Sequence, residues 1–387
     1  MYARLLPLAL ATFAVGTDGF VIAGLLPVIA ADLDVDIPTA GQLVTAFAVA
    51  FALSSPVLGA MTSSLDRRSA LLIALSIFVV GNVVTAVGST YAVVLTARVI
   101  TAIGAGIINS SASSAATAIA PADRRGRALS FVMGGLILAT AVGLPLGTLI
   151  GRDDWHVTLW GVAGLGLLAA VGVAVGLPRI SLPRAALRAR LTPLTDHRVV
   201  SVLVVTMTAL AGTYTLYTYI GSALMPATEG SETTLTGILF VWGIGSLLGN
   251  ILAGRLVDRY PAERVLTGGL FVATLVLAVS PLVLGSLGAT IGWACVWGAC
   301  VGFPVVPQQH RLVRHTPGSA QILLGLNSSA IYAGIALGGA LGGVAQHAFA
   351  ARWLGIPAAC ATALALIVTL ITVRRRVRDT AEAVASA

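Results

Sequence analysis

ALATFAVGTDGFVIAGLLPVIAA, residues Ala9 to Ala31, is an apolar run with a single carboxylate, Asp18, near its centre. About 20 such residues form a helix long enough to cross ~30 Å of hydrocarbon. An ionised side chain at that depth costs on the order of 3 kcal/mol unless it meets a partner or a water-filled cavity. Asp18 therefore has two readings, a functional carboxylate or a hydrogen-bonding residue packed against another span. Arg4 precedes an apolar stretch too long for a secretory signal, so the first span is expected to be a retained anchor.

The rest of the chain has the same character. Of 387 residues, 57% are hydrophobic and only 10% charged, against about 25% charged in a soluble domain. This composition excludes a soluble enzyme core and predicts an all-α, polytopic membrane protein. The net charge of +8 does not point to nucleic acid, because the arginines are scattered through short loops rather than gathered on one face. Cys295, Cys300 and Cys360 lie in apolar runs without metal-ligand spacing, which predicts no metal site.

The apolar runs predict twelve spans, centred near Asp18, Phe51, Val79, Ile103, Ala139, Gly166, Leu210, Gly245, Val276, Ala299, Ala333 and Ala365. Twenty arginines, among them Arg67, Arg68 and Arg311, fall in loops on one side, and only Arg152 and Arg352 on the other. By the positive-inside rule both termini are cytoplasmic. The remaining arginine, Arg98, lies inside the fourth span, and the second half is expected to carry no charge at membrane depth. The outer acids, including Asp32, Asp36 and Asp154, are expected to be solvated loop charges.

A polar connector divides the chain into residues 1–177, a linker at 178–198, a second half at 199–373 and a tail at 374–387. An offset of 195 residues lays Gly59 on Gly254, Gly143 on Gly338 and Gly147 on Gly342, which predicts a duplicated six-span unit. After the second span comes GAMTSSLDRR, Gly59 to Arg68, and after the eighth GRLVDR, Gly254 to Arg259. The fifth span reads GLILATAVGLPLGTLIG, with Gly143, Gly147 and Gly151 on one face and Pro145 between them. Glycines four apart let another helix approach closely, and a proline bends its helix; the expected result is a tight, kinked contact between the halves.

These motifs, with RVITAIGAG around Arg98, resemble the major facilitator superfamily over nearly the whole chain. The branch they resemble is the twelve-span drug:proton antiporters, close to the arabinose-efflux-like and chloramphenicol-resistance permeases. The resemblance implies two six-helix halves with substrate bound between them near the midplane. It implies a cytoplasmic gate at Gly59, Arg67, Arg68, Gly254, Asp258 and Arg259, for which a simple topology signal is the alternative. It implies an antiporter-motif hinge at Gly143, Pro145 and Gly147. The first and fourth spans are neighbours in that fold, so Asp18 and Arg98 are expected to meet, as a proton-coupling pair or as a static ion pair. The first loop motif departs from the family pattern at Ser63 and Ser64. Relatives also commonly carry their first-span acid one place later, where this chain has Gly19.

The residues expected to line the cavity are Tyr214, Tyr217, Trp242, Asn250, Asn327 and Tyr332, with helix packing as the other reading of each. Aromatic rings with polar tips suit a mid-sized, partly apolar solute. The leading reading is proton-coupled efflux of a drug, antibiotic or metabolite in a bacterial plasma membrane, driven by the proton gradient, without a cofactor and as a monomer. An uptake symporter or facilitator is the alternative on the same fold. An intramembrane enzyme would need a paired-Asp or Ser-His constellation at depth, and a non-transporting receptor would ordinarily bring a soluble output domain.

Overall fold

The computed structural model describes residues 2–121, 124–181, 191–315 and 320–385. The linker arginines Arg184, Arg188 and Arg190 lie outside them. Twelve long helices dominate. In the first half these are α1 (Tyr2–Asp32), α2 (Ile37–Met61), α3 (Arg67–Val87), α4 (Tyr91–Ile119), α5 (Arg125–Ile150) and α6 (Trp155–Gly176). The second half comprises α7 (His197–Tyr217), α8 (Glu232–Val257), α9 (Ala262–Ala278), α10 (Leu287–Arg314), α11 (Ala320–Ala348) and α12 (Gly355–Ala385). Eleven have the length and hydropathy to cross a membrane. The ninth expected span is shorter, with 17 residues, because the chain breaks after Ala278 and restarts as Ser280–Val283 with Pro281 in its first turn.

The first amide groups of a helix have no partner within it, so the chain supplies caps. Asp36 accepts from the Thr39 amide at 2.8 Å, Asp66 from Ser69 at 3.1 Å, Asp154 from His156 at 3.0 Å and Asp196 from Arg198 at 2.8 Å. Asp36 and Asp154 are thus exposed loop charges that also cap helices, and Asp32, exposed as well, accepts the Trp155 indole N–H at 3.1 Å.

The halves repeat one packing scheme. In the first, α1 packs on α5 and α6, α2 on α4 and α3 on α6; in the second, α7 packs on α11 and α12, α8 on α10 and α9 on α12. The halves meet along two seams, α2 against α11 and α5 against α8.

The glycine faces correct an expectation. A Cβ at Gly143 would lie 2.1 Å from Thr17 Oγ1, and one at Gly147 would lie 2.6 Å from Val21 Cγ2, so this face seats α5 on α1 within its own half. Gly334, Gly338 and Gly342 likewise meet Met207, Ala211 and Thr215 of α7, and Gly245 and Gly249 meet Cys295 and Ala299 of α10. The contact between halves uses other positions. Gly243 of α8 abuts the Thr140 carbonyl of α5, while Gly339 and Gly343 of α11 face Thr45 and Gln42 of α2. The kink is real: residues Ala139–Gly143 form a π-helical turn just before Pro145, which has no amide to continue the regular ladder.

Candidate functional site

The close seating of α1 on α5 aims Asp18. Gly16, Thr17, Val21, Gly24 and Leu25 of α1 face α5. A step of one residue from Thr17 turns Asp18 by about 100° toward α4. There Arg98 Nη1 meets Asp18 Oδ1 at 2.6 Å and Nη2 donates to the Asp18 carbonyl at 3.3 Å, with both side chains fully buried. The guanidinium carbon also lies 4.3 Å from the centroid of the Phe47 ring on α2, a cation–π contact. Phe51, one turn on, stacks with Tyr332 of α11 at 3.6 Å between centroids. The ion pair is thus roofed by rings, one of them from the other half.

Only one carboxylate oxygen is held. Asp18 Oδ2, Arg98 Nε, Thr17 Oγ1 and the Tyr332 hydroxyl are buried without a partner among the described residues. A carboxylate with one oxygen fixed by a guanidinium and the other unengaged can take a proton on the free oxygen. Gly19, where the resembling family carries its acid, faces the rings that roof the pair: its Cβ would lie 3.6 Å from Phe47 and 3.8 Å from the Tyr332 hydroxyl.

Across the seam sits an aromatic cluster. Tyr217 packs edge-on against Tyr214 at 5.0 Å and stacks on Trp242 at 4.7 Å. Trp297 lies 5.8 Å from Trp242 and 4.8 Å from Trp293. The Tyr217 hydroxyl reaches the Phe20 carbonyl of α1 at 3.4 Å, two residues from Asp18. Tyr214, Tyr217, Trp242 and Tyr332 therefore gather at the level of the ion pair. Asn250 and Asn327 do not join them. Asn250 donates to the Gly302 carbonyl at 3.3 Å, and Asn327 accepts from Thr206 at 3.1 Å, both links between helices of the second half.

Sequence reasoning missed Phe47, Phe51, Trp293 and Trp297. The 195-residue offset applied to Arg98 lands on Trp293, and that step would have found it. It also misplaced Arg311, which is buried on α10 rather than in a loop and donates to Gln308 at 2.7 Å. Gln308 in turn donates to the Val202 carbonyl at 2.8 Å, so the second half does bury a charge, close to its arginine-rich end.

At that end the two loop motifs differ. Arg67 is buried at the start of α3, its backbone N–H bonded to the Ile180 carbonyl at 2.8 Å, and Arg68 donates to the Ala174 carbonyl near the end of α6. A guanidinium there meets the negative end of the α6 dipole. Asp258 and Arg259 are exposed at the end of α8, Gly59 is buried, and Gly254 borders open space. No group of three or more His, Cys, Asp or Glu among the described residues could hold a metal ion.

The family model described as Major Facilitator Superfamily matches the chain twice, over residues 8–220 and 199–386. The inner membrane transport protein YdhP of Escherichia coli (strain K12) is 32% identical over 375 residues, 96% of each chain. The chloramphenicol resistance protein of Streptomyces lividans is 34% identical over 268 residues, 68% of each chain. A probable sugar efflux transporter of Helicobacter pylori (strain P12) is 25% identical over 371 residues, 94% of this chain and 93% of that one. With a duplicated six-helix unit, eleven membrane-length helices and a family match over each half, the chain belongs to the Major Facilitator Superfamily, a family of multi-pass membrane transporters.

Proposed function

We propose that this protein exports a small, partly apolar organic molecule across the bacterial inner membrane in exchange for protons, by alternating access. The observation that carries the reading is the buried Asp18–Arg98 pair with one carboxylate oxygen unengaged. Arg98 cannot shed its charge, so protonating Asp18 leaves a buried cation without its counter-ion. That imbalance favours a conformer in which the guanidinium reaches water or another acceptor, and deprotonation favours the closed one. Proton occupancy and the position of the halves are then linked. No cofactor takes part; the proton gradient supplies the energy, and one chain holds a complete pathway and works as a monomer.

The direction of transport is supported by GLPLG in α5 and by the resistance and efflux names of two relatives. The arginine-rich end is read as cytoplasmic by the positive-inside rule, which puts both termini there. Under the same reading, Arg67 and Arg68 hold the α3–α6 corner of the cytoplasmic gate.

The test is exchange in everted vesicles under an imposed pH gradient, with chloramphenicol as the first compound. Wild type should dissipate the gradient on addition of the compound, and Asp18→Asn should not. Exchange by the variant at the wild-type rate removes Asp18 as the carrier. Movement of protons and compound in the same direction would identify a symporter instead.

A further inference from the structure

The buried tryptophans fall into two kinds. Trp155 donates its indole N–H to Asp32 Oδ2 at 3.1 Å, and Trp293 donates to the Val276 carbonyl at 2.8 Å. Trp242 and Trp297 are at least as buried, at 1% and 0% exposure, yet neither Nε1 has an acceptor among the described residues. A buried indole N–H ordinarily finds an acceptor, and stranding one is costly. Two stranded together need a common explanation.

Their setting supplies one. The two rings come from different helices, α8 and α10, and both border Tyr217, at 4.7 and 6.3 Å between centroids. Tyr217 crosses the seam to Phe20, and on the far side Asp18 Oδ2 is also without a partner. Polar atoms awaiting partners thus stand on both sides of the seam: the two indole donors on the second half, and on the first the Asp18 Oδ2 acceptor with Arg98 Nε and the Thr17 hydroxyl. The rings that pack on the two indoles, Tyr217 and Trp293, are uncharged, as is Tyr214 behind Tyr217. An anion brought there would give up its hydration for dipoles alone. Two donors without a cation select a neutral acceptor group, and the flat walls select a ring.

We infer that Trp242 and Trp297 are the specificity-determining donors of the transport site, and that the site takes a planar, neutral aromatic molecule bearing an acceptor group such as nitro or conjugated carbonyl. The acceptor group meets the indole N–H groups, the ring stacks in the cluster, and a hydroxyl or amide at the other end donates to the free oxygen of Asp18. This rests on the chain being an exporter of small organic molecules, and it does not depend on proton coupling.

The experiment is equilibrium binding of two near-isosteres, 4-nitrobenzyl alcohol and 4-isopropylbenzyl alcohol, to the detergent-purified full chain. Trp242→Phe and Trp297→Phe keep a ring in place and remove only the N–H. Each should weaken the nitro compound by about five- to tenfold and leave the isopropyl compound within about twofold. Trp293→Phe, whose N–H already has the Val276 carbonyl, should leave the ratio of the two affinities unchanged. Equal weakening of both compounds, no weakening of either, or no binding of the nitro compound to wild type would overturn the inference. Binding is read without a pH gradient, so an Asp18→Asn protein that exchanges protons normally would sink the coupling and leave the nitro preference standing.

Discussion

The two halves share a scaffold and differ in what they place at its centre. An offset of 195 residues carries Arg98 onto Trp293 and Asp18 onto Thr213, the neighbour of Tyr214. Where the first half sets a charged pair across α1 and α4, the second sets aromatic rings across α7 and α10. The main helix pairings are the same, so apart from the π-helical turn of α5 and the break after α9 the contrast is one of side chains. Duplication fixed the packing and left the central positions free to diverge, one toward an ionisable pair and the other toward a flat, uncharged wall.

The sharpest way to break this contrast is to strand the charge. Arg98→Ala leaves Asp18 buried without its cation, and removal of one partner from a buried pair costs about 3–5 kcal/mol. Membrane insertion should persist while thermal stability in detergent and turnover both fall steeply. The double variant Asp18→Asn with Arg98→Ala should be markedly more stable than the sum of the two single changes requires, because no charge is then left alone. Additive losses, or normal turnover in Arg98→Ala, would reduce Arg98 to a packing residue.

A second contrast lies in what individual glycines are seated against. A Cβ at Gly298 of α10 would lie 2.0 Å from the Trp242 backbone carbonyl, which cannot move without its helix. At Gly143 of α5 the nearest atom, at 2.1 Å, is the Thr17 hydroxyl, which can rotate away. Gly254 has nothing within 4 Å. Gly298→Ala is expected to destabilise by about 1–3 kcal/mol, as overpacking does. Gly143→Ala should cost less, and Gly254→Ala should be neutral or stabilising by up to about 1 kcal/mol, since Ala is the better helix former. Melting temperatures in one detergent would rank the three, and any other order would contradict the packing described here.

The same details show where sequence reasoning works and where it stops. The ion pair was legible because Asp18 and Arg98 were the one acid and the one base evident at membrane depth, and each needed the other. The duplication was legible from glycine spacing. The partner of each glycine face was not, because a four-residue rhythm records that a helix approaches without recording which one. Where Asn250 and Asn327 would turn was not legible for a related reason, since an amide inside a helix bundle is equally suited to a neighbouring helix, here the Gly302 carbonyl and the Thr206 hydroxyl. Arg311 was misplaced because hydropathy fades at a helix end before the helix does. Phe47 and Trp297 were invisible among other apolar residues until the fold brought them to Arg98 and to Trp242.

The smallest expected effect separates the two loop motifs. Asp66, in the first copy, caps α3 by accepting from the Ser69 amide, and hydrogen bonding from Ser69, its side chain foremost and its amide next, with Arg179 a lesser influence, holds the carboxyl below the ordinary carboxylate range. A group lowered in the folded state contributes its stability above its unfolded value and loses it as pH falls through the folded one. Asp66→Asn keeps a capping oxygen and removes the charge, so it should flatten the acid limb of the stability profile with little change at neutral pH. Asp66→Ala removes the cap as well and should cost about 0.5–1 kcal/mol. The acid of the second copy, Asp258, aligns with Ser63 rather than with Asp66; it is exposed at the end of α8 and makes no side-chain hydrogen bond among the described residues, so Asp258→Ala should change thermal stability by no more than about 0.5 kcal/mol. If Asp258→Ala cost as much stability as Asp66→Ala, the exposed acid of the second copy would hold its helix end as firmly as the cap of the first, and the asymmetry between the two loop motifs would disappear.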